Sequence, residues 1–291
     1  MPKLESEVFT ISGSDMGQVV SDADGSRSVN RSTGVYERYV QPCLAEFFGS
    51  TLFIFVGCAC VVANKGPGAI QPAVAHGLAL AVVIVLFGQI RIYVKKTASK
   101  DMVVEPPSLK FFDTLFSSGG HFNPAVTLCV HLCGGMSLPL VLPYILSQLL
   151  GGITGAGLVK VMFSAVEYQA GVGGAFTPDP MANDLGKITL AELVMTMFLT
   201  TTVTMGAVNK KTSSQLAPFC IGLTVTANIL AGGGLSGACM NPARAFGPAV
   251  LANRWDYHWI YWVGPMCGAL STVIYVRLFL GDQKTRLILR K

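Results

Sequence analysis

The sequence predicts an all-α membrane protein in which six transmembrane helices and two re-entrant half-helices form an inverted repeat. Three observations lead there. The first is composition: of 291 residues, 51% are hydrophobic and only 13% charged, with a mean hydropathy of +0.53, whereas a soluble chain carries about 25% charged residues. The second is a duplicated stretch, Gly119-Gly120-His121-Phe122-Asn123-Pro124-Ala125-Val126 and Gly237-Ala238-Cys239-Met240-Asn241-Pro242-Ala243-Arg244. The third is the order of apolar segments around the two copies, which reads span, span, short segment, span, and then the same again.

Taken in order, residues 1–35 are polar and rich in Ser, Asp and Gly, with no apolar stretch of the kind a signal peptide needs, and read as a disordered cytoplasmic tail. Asn30-Arg31-Ser32 within them reads as a chance match to the glycosylation pattern. Residues 43–63 and 72–87 are the first two spans. Residues 124–133 follow the first Asn and fall well short of the ~20 residues that cross hydrocarbon, which suits a half-helix. The third span covers 138–159. The second half offers spans at 188–208, 216–230 and 259–280, with a second short segment at Pro242–Ala252. The spans at 72–87 and 216–230 are short, but their flanks are mild enough to extend them. Gly232-Gly233-Gly234 reads as a backbone-permissive loop, and no GK[ST] follows to make it a phosphate loop. The membrane domain is then 36–280, its first repeat 36–160 and its second 187–280, with 281–291 a cytoplasmic C-terminal tail.

Each Asn-Pro pair marks a helix start: Asn caps the first turn, and Pro fits there because its missing N–H needs no partner. The halves can be registered on Ala45-Glu46 and Ala191-Glu192. On that register the first half carries about 28 extra residues, which fall in a charged, Pro-containing stretch at about 91–117. Lys95, Lys96, Lys100, Asp101, Glu105 and Lys110 would be costly in hydrocarbon, and Pro106-Pro107 prevents one continuous helix. The stretch reads as an insertion extruded into the cytoplasm. Three spans per half is an odd number, so the second half enters from the opposite side. Most of the 21 Lys and Arg residues then fall on the side of the two termini, which places both termini in the cytoplasm.

Glu46 and Glu192 are acids inside apolar spans, functional by default. Their repeat-equivalent positions suggest a structural pair, each bonding the loop backbone of its own half. As proton-relay carboxylates they would instead fit an ion- or proton-coupled secondary transporter, since inverted repeats and broken helices serve both classes. The eight cysteines lie in or beside apolar segments without metal-ligand spacing, and read as small buried hydrophobes. No catalytic residues are assigned: there is no paired nucleophile and base, no metal cluster and no phosphate loop. No cofactor and no nucleic-acid partner are expected.

The duplicated Asn-Pro-Ala, the Arg after the second copy and the Glu in spans one and four resemble the aquaporin family of major intrinsic proteins, over roughly 36–90 and 118–291. So do Tyr36-Glu37-Arg38-Tyr39-Val40-Gln41-Pro42-Cys43, Gln71-Pro72-Ala73-Val74-Ala75-His76-Gly77-Leu78 and Trp259-Ile260-Tyr261-Trp262-Val263-Gly264-Pro265. The resemblance implies a passive channel for water and small neutral solutes (ammonia, hydrogen peroxide, urea), closed to ions and protons. It implies a pore built on Asn123, Pro124, Ala125, Asn241, Pro242 and Ala243. It also implies a selectivity filter of His76, Ile229, Ala238 and Arg244, with Val126 where the second motif has Arg244. That ring is less crowded than the Phe, His, Cys, Arg set of strict water channels. Ala245 stands where the glycerol branch has Asp, which argues against a dedicated polyol facilitator. Cys239, two residues before Asn241, becomes a candidate mercurial site. The resemblance further implies a homotetramer with one pore per protomer in a lipid bilayer, either the plasma membrane or an intracellular one such as the mitochondrial inner membrane.

Overall fold

A computed structural model describes residues 34–64, 66, 68–88, 118–181, 184–209 and 211–280. The insertion at 91–117, the tail at 281–291 and residues 1–33, Asn30 included, lie outside the described residues. The described chain is helical throughout. It runs α1 (Gln41–Val62), α2 (Ile70–Phe87), α3 (Pro124–Leu132), α4 (Leu138–Met162), α5 (Ala165–Ala170), α6 (Leu185–Val203), α7 (Ala217–Ser236), α8 (Pro242–Ala252) and α9 (Ile260–Tyr275). Wider π-helical turns precede α1 (Tyr36–Val40) and follow α6 (Thr204–Val208) and α9 (Val276–Leu280). Six helices are long and apolar enough to cross a membrane: Tyr36–Val62, Ile70–Phe87, Leu138–Met162, Leu185–Val208, Ala217–Ser236 and Ile260–Leu280. The protein is a multi-pass integral membrane protein, and α3 and α8, which start at the two Asn-Pro pairs, are too short to span.

Packing follows the repeat. α1 lies against α4 and α6 against α9, each pair joined at a Gly-x-x-x-Gly stripe. A Cβ on Gly151 or Gly155 would sit 2.5 Å from Phe47 O or Thr51 O, and one on Gly268 would sit 2.4 Å from Leu193 O, so only glycine lets these backbones meet. In hydrocarbon, where water exclusion supplies no force between helices, such close approach is what dispersion contacts require. Leu142, Leu146, Leu150, Leu190, Val194 and Phe198 face outward, as lipid solvation permits.

Two readings of the sequence are corrected. Gly232-Gly233-Gly234 is not a loop: it lies inside α7, which ends only at Gly237 in the left-handed conformation (φ 85°). Gly232 serves packing, since a Cβ on it would stand 2.5 Å from Met195 Sδ, whereas a Cβ on Gly233 or Gly234 would meet no close contact. The cysteines are also not uniformly buried, because Cys220 and Cys267 are exposed on the apolar outer face and Cys43 is partly so. The connection after α4 holds an unforeseen short helix, α5, closed by a reciprocal cap between Ser164 and Glu167.

Candidate pore

Each half-helix starts at its asparagine, whose backbone is extended while the next residue, Pro, is already helical. Asn123 Oδ1 accepts from Ala125 N at 2.9 Å, and Asn241 Oδ1 accepts from Ala243 N at 2.9 Å and Arg244 N at 3.3 Å. The other end of each amide crosses to the opposite motif. Asn123 Nδ2 donates to Met240 O at 2.9 Å, and Asn241 Nδ2 donates to Phe122 O at 2.8 Å. The two half-helices therefore meet N-terminus to N-terminus, tied by a reciprocal pair of bonds. An amide NH₂ has two protons, so each asparagine keeps one beyond this tie. Both asparagines line a midplane cavity with Phe53, Ile84, Val126, Val225 and Met240. Its volume of ≈ 20 Å³, against about 10–15 Å³ for a single water, gives room for one or two water molecules.

The loops ahead of the asparagines are bent alike. Phe122 and Met240 both adopt positive φ (49° and 55°), as do Gly120 and its counterpart Ala238 (69° and 52°). A left-handed Phe, Met or Ala is uphill, and the acids hold these turns in place. Glu46 accepts from His121 N at 2.9 Å and Phe122 N at 2.7 Å. Glu192 accepts from Cys239 N at 2.8 Å and Met240 N at 2.7 Å. In a trans peptide N–H and C=O point opposite ways. Turning these N–H groups toward the acids therefore turns the carbonyls of Gly120, His121, Ala238 and Cys239 away from them. Ser118 and Ser236 extend the match: Ser118 bonds Glu46 by its side chain, and Ser236 Oγ donates to Glu192 at 2.7 Å. Tyr144 and Tyr261 donate to Ser118 O and Ser236 O at 2.7 and 2.8 Å. Only Glu46 has Gln148 as a further donor, at 2.7 Å.

His76, Ile229, Ala238 and Arg244 all line a second, outer cavity of ≈ 430 Å³. Arg244 is 3% exposed. Its Nη1 donates to Gly174 O at 2.7 Å and its Nη2 to Gly57 O at 3.1 Å, while its guanidinium carbon stands 4.7 Å over the Phe176 ring. Among the described residues its Nε has no partner, and neither has His76 Nδ1. His76 stacks on Phe53 at 4.2 Å between ring centres. Gly57 is the reason both side chains fit, since a Cβ there would lie 2.1 Å from His76 Cε1 and 3.0 Å from Arg244 Nε. Cys239 lines the midplane cavity, its Sγ donating to Asn241 O at 3.1 Å. On the outer rim burial holds the His258 imidazole below its ordinary range, and its Nε2 accepts from Trp262 Nε1 at 3.2 Å. Among the described residues no three His, Cys, Asp or Glu side chains converge on a point.

Gly57, Gly174, Phe176, Gln148 and the two tyrosines escaped the sequence reading. Gly174 and Phe176 sit in the connection between the repeats, which has no internal counterpart to compare with.

The family profile described as Major intrinsic protein matches residues 35–91 and 111–275. Aquaporin-8 of Rattus norvegicus is 48% identical over 256 residues, covering 88% of this chain and 87% of the relative. Aquaporin TIP1-2 of Zea mays is 35% identical over 252 residues, covering 82% and 86%. Among solved structures, the aquaglyceroporin from Plasmodium falciparum superposes with a TM-score of 0.65 at 18% identity, covering 83% of this chain and 97% of that one. At that identity the likeness speaks for the fold alone.

Proposed function

The chain belongs to the major intrinsic protein family, and from that premise we propose how its channel selects what passes. The protein is a channel for water and small neutral solutes. In our reading His76, Ile229, Ala238 and Arg244 are its filter. The observation that carries this is their convergence on one outer cavity with two unpartnered polar atoms, Arg244 Nε and His76 Nδ1. A solute shedding water there regains one donor from Arg244 and one donor or acceptor from His76, while Ile229 and Ala238 leave the other walls small and neutral. A cation meets the guanidinium instead. This chemistry suits water, ammonia, hydrogen peroxide and, at the upper limit of size, urea.

Beyond the filter, the spare amide protons of Asn123 and Asn241 orient a single file of water, and Glu46 and Glu192 are positioning groups. Both acids are occupied by backbone N–H donors, which supports that role over a proton relay and the channel over a coupled transporter. We assign no catalysis to the chain. Cys239, beside Asn241, is our candidate for mercurial block. We further propose a homotetramer in the plasma membrane or an intracellular membrane, with both termini cytoplasmic. The test of the channel reading is stopped-flow light scattering on proteoliposomes, with ammonia, peroxide and urea fluxes beside water. We expect shrinkage well above that of empty vesicles, blocked by a mercurial in the parent and not in Cys239→Ser. Folded protein that leaves vesicles no leakier than empty ones would overturn it.

A further inference from the structure

Cys129 and Cys133 are used by neither cavity. They sit one turn apart, Cys129 in α3 and Cys133 as its C-cap, each 1% exposed, in an apolar cluster with Ala125, Ala269 and Val276. Met205, in the turn after α6, and Met266, on α9, pack against the same cluster, and Met205 Sδ also accepts from Asn209 Nδ2 at 3.7 Å. Cys133 N donates to Cys129 O at 2.9 Å across that turn, the two thiols lie close to each other, and Thr200 stands beside Cys129. Both are free thiols.

The spacing decides what such a pair does. Residues four apart on a helix hold their Cβ atoms about 5–6 Å apart, whereas a disulfide needs about 3.5–4.5 Å. An internal disulfide would therefore unwind the end of α3. A metal bridge needs no such movement. With metal–sulfur bonds of about 2.3 Å, two sulfurs span about 3.8 Å at a tetrahedral angle and about 4.6 Å in a linear bridge, within the reach of this pair. Thiolate and thioether together are soft ligands, which favour monovalent copper over hard or oxygen-seeking ions.

We propose that Cys129 and Cys133, assisted by the thioethers of Met205 and Met266, bind one soft monovalent cation of the copper(I) or silver(I) kind. On binding, each thiol gives its proton to solvent and its electron pair to the metal. One cation enters, two protons leave, and the bound group carries one net negative charge; no oxidant or reductant is needed. Arg277, in the turn after α9, places a positive field at Cys133 to offset that charge, and the Thr200 hydroxyl steadies the Cys129 sulfur as an outer partner. Access is through the turn after α3. Gly134 there is exposed with φ 81°, and a Cβ on it would meet nothing within 4 Å.

The probe is silver(I), which has the charge and softness of copper(I) without its redox chemistry. The purified full-length protein is loaded in detergent, stripped with excess monothiol to clear isolated cysteines, desalted and assayed for silver by mass spectrometry. We expect the parent to retain one more ion per chain than Cys129→Ala/Cys133→Ala, and either single variant to lose the whole of that ion. Equal retention in parent and double variant, or a single variant that keeps the ion, would overturn the site. Silver-edge X-ray absorption on the parent at one equivalent is independent of whether the variants fold. An all-sulfur shell, smaller by one sulfur in Met266→Leu, supports the assignment; a shell with one sulfur and light-atom ligands refutes it.

Discussion

Arg244 spends two donors on Gly57 O and Gly174 O and keeps Nε unpartnered. Its position is thus fixed by backbone, while Nε–H and the second proton of each terminal nitrogen are left over beyond these two bonds. Arg244→Ala removes bulk and charge together, so permeability to larger neutral solutes and to cations should rise; solute fluxes and vesicle conductance measure this, and unchanged selectivity would count against a filter role. Gly57→Ala should act in the opposite direction. Its methyl group collides with His76 and crowds Arg244, so water flux should fall by about tenfold or more, the rate factor of roughly 1.4 kcal/mol, while the protein still folds. The acids behave differently. Glu46→Ala leaves His121 N and Phe122 N buried without an acceptor, at about 1–3 kcal/mol each, and frees a strained turn. Thermal unfolding should show a large loss of stability, and a midpoint unchanged from the parent would refute the positioning role. Asn123, Asn241, Glu46, Glu192 and Arg244 were legible in the sequence because polar groups in apolar segments are costly and therefore conspicuous. Gly57 and Phe176 were not. A glycine declares its purpose only when the side chains that converge on it are known, and a Phe in an apolar chain carries no signal.

The two half-helices were legible to within a residue because Asn-Pro fixes their starts and the apolar run fixes their length: Pro242–Ala252 has the expected bounds, and the other ends at Leu132. The Gly232-Gly233-Gly234 run misled because glycine reads as loop wherever its packing partner, here Met195 on α6, is out of sequence view. Between α2 and α3 the register gave an insertion, and its flanks bear on that reading. Ser118 N donates to Phe87 O at 3.1 Å, and a Cβ on Gly88 would lie 3.2 Å from Gly120 Cα. The last described residues before the stretch thus lie directly against the first ones after it, and the family match breaks between residues 91 and 111. Loop closure across so short a gap needs few residues. Deleting 91–117 should leave both folding and water flux intact, read by size-exclusion profile and vesicle shrinkage. Loss of either would make the segment part of the pore scaffold.

Across the whole molecule the repeat is carried into detail. α2 and α7 cross at Gly77 and Gly222, where a Cβ on either would lie 2.5 or 2.4 Å from the other's carbonyl. The asparagine amides, acids, serines and tyrosines all recur in pairs about that crossing. What breaks the symmetry is that Arg244 lines one cavity where its counterpart Val126 lines the other, so the filter we propose is charged on one side alone. The midplane is positive from both halves. A helix N-terminus carries about +0.5 charge; at ~5 Å and an effective dielectric of ~20, two of them raise a monovalent cation by about 3 kcal/mol, or roughly two orders of magnitude in occupancy, before any loss of hydration. A hydronium meets the same barrier, and the amide donors oblige water at the centre to point its oxygen inward from both sides, which interrupts a proton wire. Vesicles loaded with a pH-sensitive dye should therefore shrink rapidly in an osmotic step while a pH gradient across the same membrane decays at the rate of empty vesicles. A proton leak that scales with the amount of protein would mean that the facing half-helices do not control the centre of the pore.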